Sequence, residues 1–81
     1  MNHTYGECTF CGGVVVEEAL DKACFWGDEL VAVVADVPTG VCGQCGERYY
    51  HASVLREVER VLQERRTARL IHLPVFEFAA A

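Results

Sequence analysis

Two short stretches decide the fold: Cys8-Thr9-Phe10-Cys11-Gly12-Gly13 and Cys42-Gly43-Gln44-Cys45-Gly46. Each is a C-x-x-C pair followed by glycine. Two thiolates on one tight turn can reach the same metal ion, and glycine lets the turn direct backbone N–H groups at the sulfurs. Four sulfurs about 2.3 Å from a central ion form the geometry of structural zinc. The spacing therefore predicts that the chain holds one structural Zn²⁺ through Cys8, Cys11, Cys42 and Cys45.

Other uses of the cysteines fit less well. Disulfides would need an exported protein, and the count of five is odd. A thioredoxin-like pair needs a preceding strand, and Cys8 is too near the start of the sequence for one. A rubredoxin-like iron site or an iron–sulfur cluster also uses paired C-x-x-C turns and stays open as an alternative. Cys24 lies outside both pairs and is expected to be a small buried side chain. With four thiolates available, no histidine is required as a ligand: His3, His51, His72.

The size and charge of the chain narrow its function. Eighty-one residues fit one small domain, and a core of that size needs a metal, disulfides or a partner to stabilise it. The formal charge of −5 argues against nonspecific binding to a phosphate backbone. A metal site closed by four cysteines has no position for a substrate, so we do not expect an enzyme.

The same sequence predicts a cytoplasmic protein. No apolar run approaches the roughly 20 residues of a membrane span, so no membrane association is expected. The first seven residues lack the basic and then apolar segments of a secretory signal. Free thiols bind metal in the reducing cytoplasm, which agrees with the cysteine pattern.

Between the cysteine pairs the sequence predicts an antiparallel β-hairpin. Residues 14–24 and 30–37 are rich in valine, with a turn signal at Gly27-Asp28. Pro38-Thr39-Gly40 is expected to end the second strand. Residues 48–69 then predict an amphipathic helix, because one face repeats at spacings of three and four. That face carries Tyr50, Val54, Val58, Val61, Leu62 and Arg65. The predicted class is a small zinc-bound α+β domain over residues 1–69.

The remaining segment, residues 70–81, is predicted to be an apolar C-terminal strand or tail. Its alternate positions are apolar on both faces, and Pro74 restricts it to a sheet edge or a bulge. The strand could pack on the hairpin of its own chain or pair with another chain, and both readings stay open. The candidate partner-binding side chains are Leu73, Val75, Phe76 and Phe78.

The motifs together resemble the YgiT-type zinc finger, the zinc-binding N-terminal domain of MqsA-like antitoxins. The resemblance rests on Cys8–Gly13, on Gly27-Asp28-Glu29-Leu30, and on Val37-Pro38-Thr39-Gly40-Val41-Cys42-Gly43-Gln44-Cys45-Gly46-Glu47-Arg48-Tyr49. It covers about residues 8–65. In that family four cysteines bind a structural zinc, which here maps to the four cysteines of the two pairs. The domain is a small β-sheet with a helix and serves toxin–antitoxin systems.

The resemblance also implies a partner. In MqsA the zinc domain neutralises an mRNA-cleaving toxin, while a separate helix-turn-helix domain dimerises and binds operator DNA. The present sequence ends at Ala81 without such a segment, so we expect a short stand-alone antitoxin that does not bind DNA directly. Its expected partner is a cognate toxin encoded next to it, and a homodimer stays open. The alternative function is a nucleic-acid-binding or transcriptional zinc ribbon, for which Arg65-Arg66-Thr67-Ala68-Arg69 is the one basic cluster.

Overall fold

The computed structural model describes residues 3–64 and 68–79. Within these residues the chain forms a small α+β fold, as predicted, with a three-stranded antiparallel sheet and one helix. The elements follow one another as β1 (Val15–Trp26), β2 (Glu29–Cys42), β3 (Arg48–Tyr49) and α1 (Ala52–Glu64). The strands lie in the order β1-β2-β3, so the two long strands form the hairpin and β3 adds a short strand beside β2.

The hairpin forms where the sequence predicts it, but it is longer. Gly27 takes a positive φ of 61° in the turn, a conformation that glycine adopts without strain. Pro38-Thr39-Gly40 does not end the second strand, which continues to Cys42. Since β3 pairs only with Gly40 and Val41, Pro38 has a strand partner on one side only. A missing N–H is tolerated at such a position.

The pairing of β1 with β2 slips twice, which gives the ribbon two irregularities. One slip lies between Leu20 and Lys22, and Asp36 on the opposite strand takes a positive φ of 58°. The other lies between Cys24 and Phe25. Bulges of this kind increase local twist. Asp36 is one of the few residue types that adopt this φ at low cost.

The helix is shorter than predicted because residues 48–49 are extended. Arg48 pairs with Val41, and Tyr49 pairs with Gly40, so these two residues form β3. The helix begins after His51, whose carbonyl accepts the N–H groups of Val54 and Leu55 at 3.0 and 3.1 Å. The predicted helical residues 65–67, within the basic cluster, lie outside the described residues, and residues 68–69 are not helical.

The small core lies between α1 and the hairpin. Its buried members are Cys24, Val37, Val54 and Val58, with partly buried neighbours Ala32, Val34, Tyr50 and Leu62. The predicted helix face therefore faces the core through Val54 and Val58. Cys24 is 8% exposed, which confirms its expected role as a small core side chain. On the solvent side, Arg60 bonds to Glu57 and reaches Glu64 at 2.7 Å.

The C-terminal strand predicted from residue 70 onward does not form in the described residues 70–79. They adopt no helix or strand, apart from a turn at residues 78–79, and all of them are exposed. Apolar side chains on both faces need cover on both sides of a strand. The hairpin covers neither face of this segment, which explains the difference. Residues 80–81 lie outside the described part of the chain.

Across residues 3–64 and 68–79, no helix has the length and apolar character to cross a membrane.

Candidate metal centre

The structure brings the sulfurs of the two cysteine pairs together. The four Sγ atoms all lie within 4.8 Å of one another. Sγ of Cys8 lies 3.6 Å from Sγ of Cys45, and Sγ of Cys11 lies 3.4 Å from Sγ of Cys42. A tetrahedron with metal–sulfur bonds of about 2.3 Å places its sulfurs about 3.8 Å apart. The four thiols therefore fit one tetrahedral metal ion, and an all-sulfur set of this geometry suits zinc or iron.

The two cysteine loops, residues 8–13 and 42–47, share one backbone pattern. In each loop the first cysteine donates its N–H to the residue five positions later, at 3.0 Å in the first loop and 2.9 Å in the second. The glycine four positions later donates back to that cysteine's carbonyl, at 2.9 Å in both. These glycines, Gly12 and Gly46, take positive φ values of 74° and 80°. The repeated C-x-x-C-G sequence thus builds the same turn twice.

The hairpin places the two loops side by side. Val15 at the start of β1 pairs with Cys42 at the end of β2, so the first loop ends and the second loop begins at the same end of the hairpin. Gly43 of the second loop also donates its N–H to the carbonyl of Val14 at 3.0 Å. Loops far apart in the sequence therefore meet through strand register.

Gly13 is required by close packing beside the sulfurs. A Cβ at this position would lie 2.9 Å from Sγ of Cys42, 3.0 Å from Cβ of Gln44 and 3.3 Å from Sγ of Cys11. The first separation is shorter than real Cβ contacts, and the other two are tighter than most of them, so a neighbour would have to move. The first loop approaches the second this closely because residue 13 has no side chain.

Hydrogen bonds favour thiolate at two of the four sulfurs. The Tyr49 hydroxyl lowers the pKa of the Cys8 thiol to about 6. The backbone N–H groups of Cys45 and Gln44, at 3.5 and 3.4 Å from the sulfur of Cys42, lower the pKa of that thiol. N–H and O–H groups directed at a sulfur stabilise its charged form.

The other two thiols resist ionisation. The Gly13 backbone lowers the pKa of Cys11, but the neighbouring Cys42 sulfur and burial outweigh it and raise that pKa to about 12. The Glu47 backbone likewise lowers the pKa of Cys45, yet the adjacent Cys8 sulfur and burial leave it raised. Four negative sulfurs this close together repel one another. A divalent cation supplies the charge that lets all four ionise.

Tyr49 belongs to the centre, although the sequence spacing of the cysteines does not reveal it. Its hydroxyl donates to Sγ of Cys8 at 3.2 Å and accepts the N–H of Thr9 at 3.0 Å. Strand β3 fixes the tyrosine by pairing it with Gly40. The signal in the sequence is a tyrosine four residues after Cys45, in an extended segment that returns beside the first loop.

The histidines do not join this centre within the described residues. His3 and Tyr5 instead bind Glu17 of β1, through His3 Nδ1 at 2.7 Å and the Tyr5 hydroxyl at 3.1 Å. His51 donates from Nε2 to the carbonyl of Thr4 at 2.7 Å. His72 lies in the exposed C-terminal segment. These contacts tie residues 3–5 to β1 and to the start of α1.

The centre contains a buried half and an accessible half. Cys8 and Cys42 are 4% and 1% exposed, Cys11 is half-buried and Cys45 is exposed. All five cysteines of the chain are free thiols, so none is withdrawn into a disulfide.

No family model, curated protein or solved structure matches the chain. The arrangement can hold a metal ion by four thiolates, and its chemistry is that of a structural site rather than an open one.

Proposed function

We propose that the chain is a zinc-stabilised antitoxin that neutralises a cognate toxin by direct protein contact. The observation that carries the proposal is an exposed apolar tail on an acidic, metal-binding body. The predicted contact residues Leu73, Val75, Phe76 and Phe78 are 59, 90, 87 and 107% exposed. Contiguous exposed apolar surface of this kind marks interaction sites. The YgiT-type resemblance supplies the class of partner.

Zinc is the metal we propose for the cysteine cluster. Zinc needs no redox chemistry and prefers tetrahedral thiolate sets, which the four sulfurs supply. Four thiolates complete that coordination, so we assign no catalytic step to the metal. Binding of structural zinc provides about 10–16 kcal/mol in small domains, and that energy becomes folding energy. We place the protein in the reducing cytoplasm, where the five free thiols are stable.

Charge supports a basic partner. One Zn²⁺ with four thiolates adds two negative charges, which takes the formal charge from −5 to about −7. A toxin that handles RNA carries a basic surface, and an acidic protein is steered toward it. The same charge disfavours the alternative, a nucleic-acid-binding zinc ribbon.

Coexpression with the product of the adjacent open reading frame tests the proposal. We expect the two proteins to copurify and the chain to relieve the growth defect caused by its neighbour. Phe76→Ser is expected to weaken both effects. Trp26→Ser is the matched control, since Trp26 is 82% exposed at the hairpin turn. Loss of binding in Trp26→Ser alone would indicate that the toxin contacts the hairpin instead of the tail.

Two results would overturn the proposal. One is a chain that neither binds its neighbour nor reduces its toxicity. The other is salt-dependent retention of the zinc-loaded chain on DNA or RNA, which the zinc-ribbon alternative predicts.

A further inference from the structure

A groove of about 560 Å³ lies between the helix and the sheet. We call it the α1–β2 groove. One wall is residues 34–38 of β2, and His3 stands at its margin. The other wall is formed by five side chains of α1: Ser53, Val54, Glu57, Val58 and Val61.

The groove is apolar inside and acidic at its rim. Its floor includes the buried core residues Val37 and Val58, and Val61 on the helix wall is 42% exposed. Asp36 on one side is an exposed carboxylate, and Glu57 on the other is exposed but paired with Arg60. An apolar floor with an acidic rim suits an apolar segment that carries positive charge.

The C-terminal tail is an apolar segment that contains one arginine. We define the tail as residues 68–79, whose large apolar side chains are 53 to 107% exposed. Arg69 and His72 lie among these apolar residues, and Glu77 is the one acidic residue of the segment.

The charges of the two parts are opposite. Residues 1–64 contain eleven acidic and four basic side chains, a formal charge of −7. Residues 65–81 contain three basic side chains and one acidic side chain, a formal charge of +2. That charge comes from Arg65 and Arg66, which precede the tail, because Arg69 and Glu77 within the tail cancel. These two arginines are attracted electrostatically to the acidic body of the fold.

We propose that the tail of one copy lies in the α1–β2 groove of a second copy, and that the exchange is reciprocal. The tail of the same chain leaves its own groove open and stays exposed. A second copy supplies both a tail and a groove, so one contact repeated about a two-fold axis closes a dimer.

The dimer is independent of the proposed function, because it concerns the protein alone. If the toxin proposal also holds, the toxin must compete with the second copy for Phe76 and its neighbours. Failure of the dimer would leave toxin binding intact, and failure of toxin binding would leave the dimer intact.

Sedimentation equilibrium of the metal-loaded chain over a range of concentrations tests the dimer. We expect a monomer–dimer equilibrium. Val61→Gln in the groove and Phe76→Ser in the tail should each weaken dimerisation about tenfold or more, the loss expected for one buried apolar contact. Leu55→Gln is the matched control, because Leu55 is 43% exposed on the same helix but does not line the groove.

Mixing the two variants distinguishes a reciprocal exchange from other dimers. Val61→Gln retains a normal tail and Phe76→Ser retains a normal groove, so an equimolar mixture restores one complete contact. The mixture should therefore associate more strongly than either variant alone. A chain that stays monomeric at high concentration would overturn the proposal. So would a dimer that both variants leave unchanged, or one that the control weakens equally.

Discussion

The two cysteine loops have the same backbone but different attachments to the rest of the molecule. The second loop, residues 42–47, continues directly from β2 and leads into β3, so the sheet holds both of its ends. The first loop, residues 8–13, follows a segment without regular structure. Side chains hold that segment, chiefly through Glu17 and Tyr49. Two loops with the same backbone conformation are thus held in place by different contacts.

The difference indicates which loop depends more on the metal. Strand pairing with Val15 positions Cys42. Cys8 and Cys11 depend on a few side-chain contacts and on the ion itself. Three changes test this difference between the two loops: removal of the metal, a side chain at Gly13, and removal of single side-chain contacts.

Removal of the metal has the largest expected effect. We expect a chelator to unfold the domain, because about 10–16 kcal/mol of metal binding exceeds what a core of four buried residues supplies. Circular dichroism during a chelator titration, with metal quantified in parallel, measures the loss. At partial chelation, the amide N–H groups of Cys8 and Gly12 should exchange before those of Cys42 and Gly46.

Survival of the native spectrum after complete metal removal would contradict this prediction. Simultaneous exchange of both loops would instead show that the sheet gives the second loop no extra protection.

Alanine at Gly13 has the next largest expected effect. The new Cβ would lie 2.9 Å from Sγ of Cys42, so one loop must move away from the other. Such overpacking costs about 1–3 kcal/mol, which corresponds to roughly a fivefold to 150-fold loss of metal affinity. Competition with a chromogenic chelator measures the affinity.

Gly43→Ala is the matched control in the second loop. The nearest atom to its Cβ would be the carbonyl oxygen of Val14 at 3.9 Å, an ordinary contact. We expect this variant to bind metal nearly as the parent chain does. Equal losses in the two variants would refute the packing argument.

Phenylalanine at Tyr49 tests the side-chain support of the first loop. The variant keeps the ring but loses the hydroxyl that donates to Cys8 and accepts from Thr9. Loss of such an outer partner typically lowers metal affinity about 10- to 100-fold, and we expect the lower end because the fold remains intact. Tyr50→Phe is the control at the adjacent residue, which packs beside the core. An unchanged affinity for Tyr49→Phe would show that the metal alone holds the first loop.

The sequence predicts the metal centre better than its surroundings. Paired C-x-x-C-G turns identify the four clustered cysteines because the ligands and the turn are encoded locally. Tyr49 and Gly13 escape prediction because their roles depend on strand register and on the approach of one loop to the other. The prediction that the second strand ends at Pro38 is wrong for a similar reason. A proline is tolerated within β2 because β3 does not extend along β2 as far as Pro38.

The tail is the part of the fold for which the alternation of apolar residues gives a wrong prediction. Alternating apolar residues from Leu70 to Phe78 are typical of a strand, yet a strand also needs a sheet edge that accepts it. The helix is predicted more reliably, because the spacing of Val54 and Val58 is sufficient to bury one face. Local patterns identify a helix face, whereas strand pairing is decided elsewhere in the chain.

The smallest expected effect is that of Glu17→Gln, which loosens the segment before the first loop. Burial raises the pKa of Glu17, but hydrogen bonds from His3 and Tyr5 outweigh it and leave that pKa lowered from 4.5. A carboxyl with a lowered folded pKa stabilises the fold above its unfolded pKa, and that contribution is lost as pH falls through the folded value. The substitution should therefore cost a small stability at neutral pH, and that cost should disappear as pH falls through the folded pKa. Amide exchange of residues 3–8 measures it, with exposed Glu18→Gln as the control. A cost that stays the same below the folded pKa would assign the support to a group other than the Glu17 carboxylate and would leave the first loop dependent on Tyr49 and the metal.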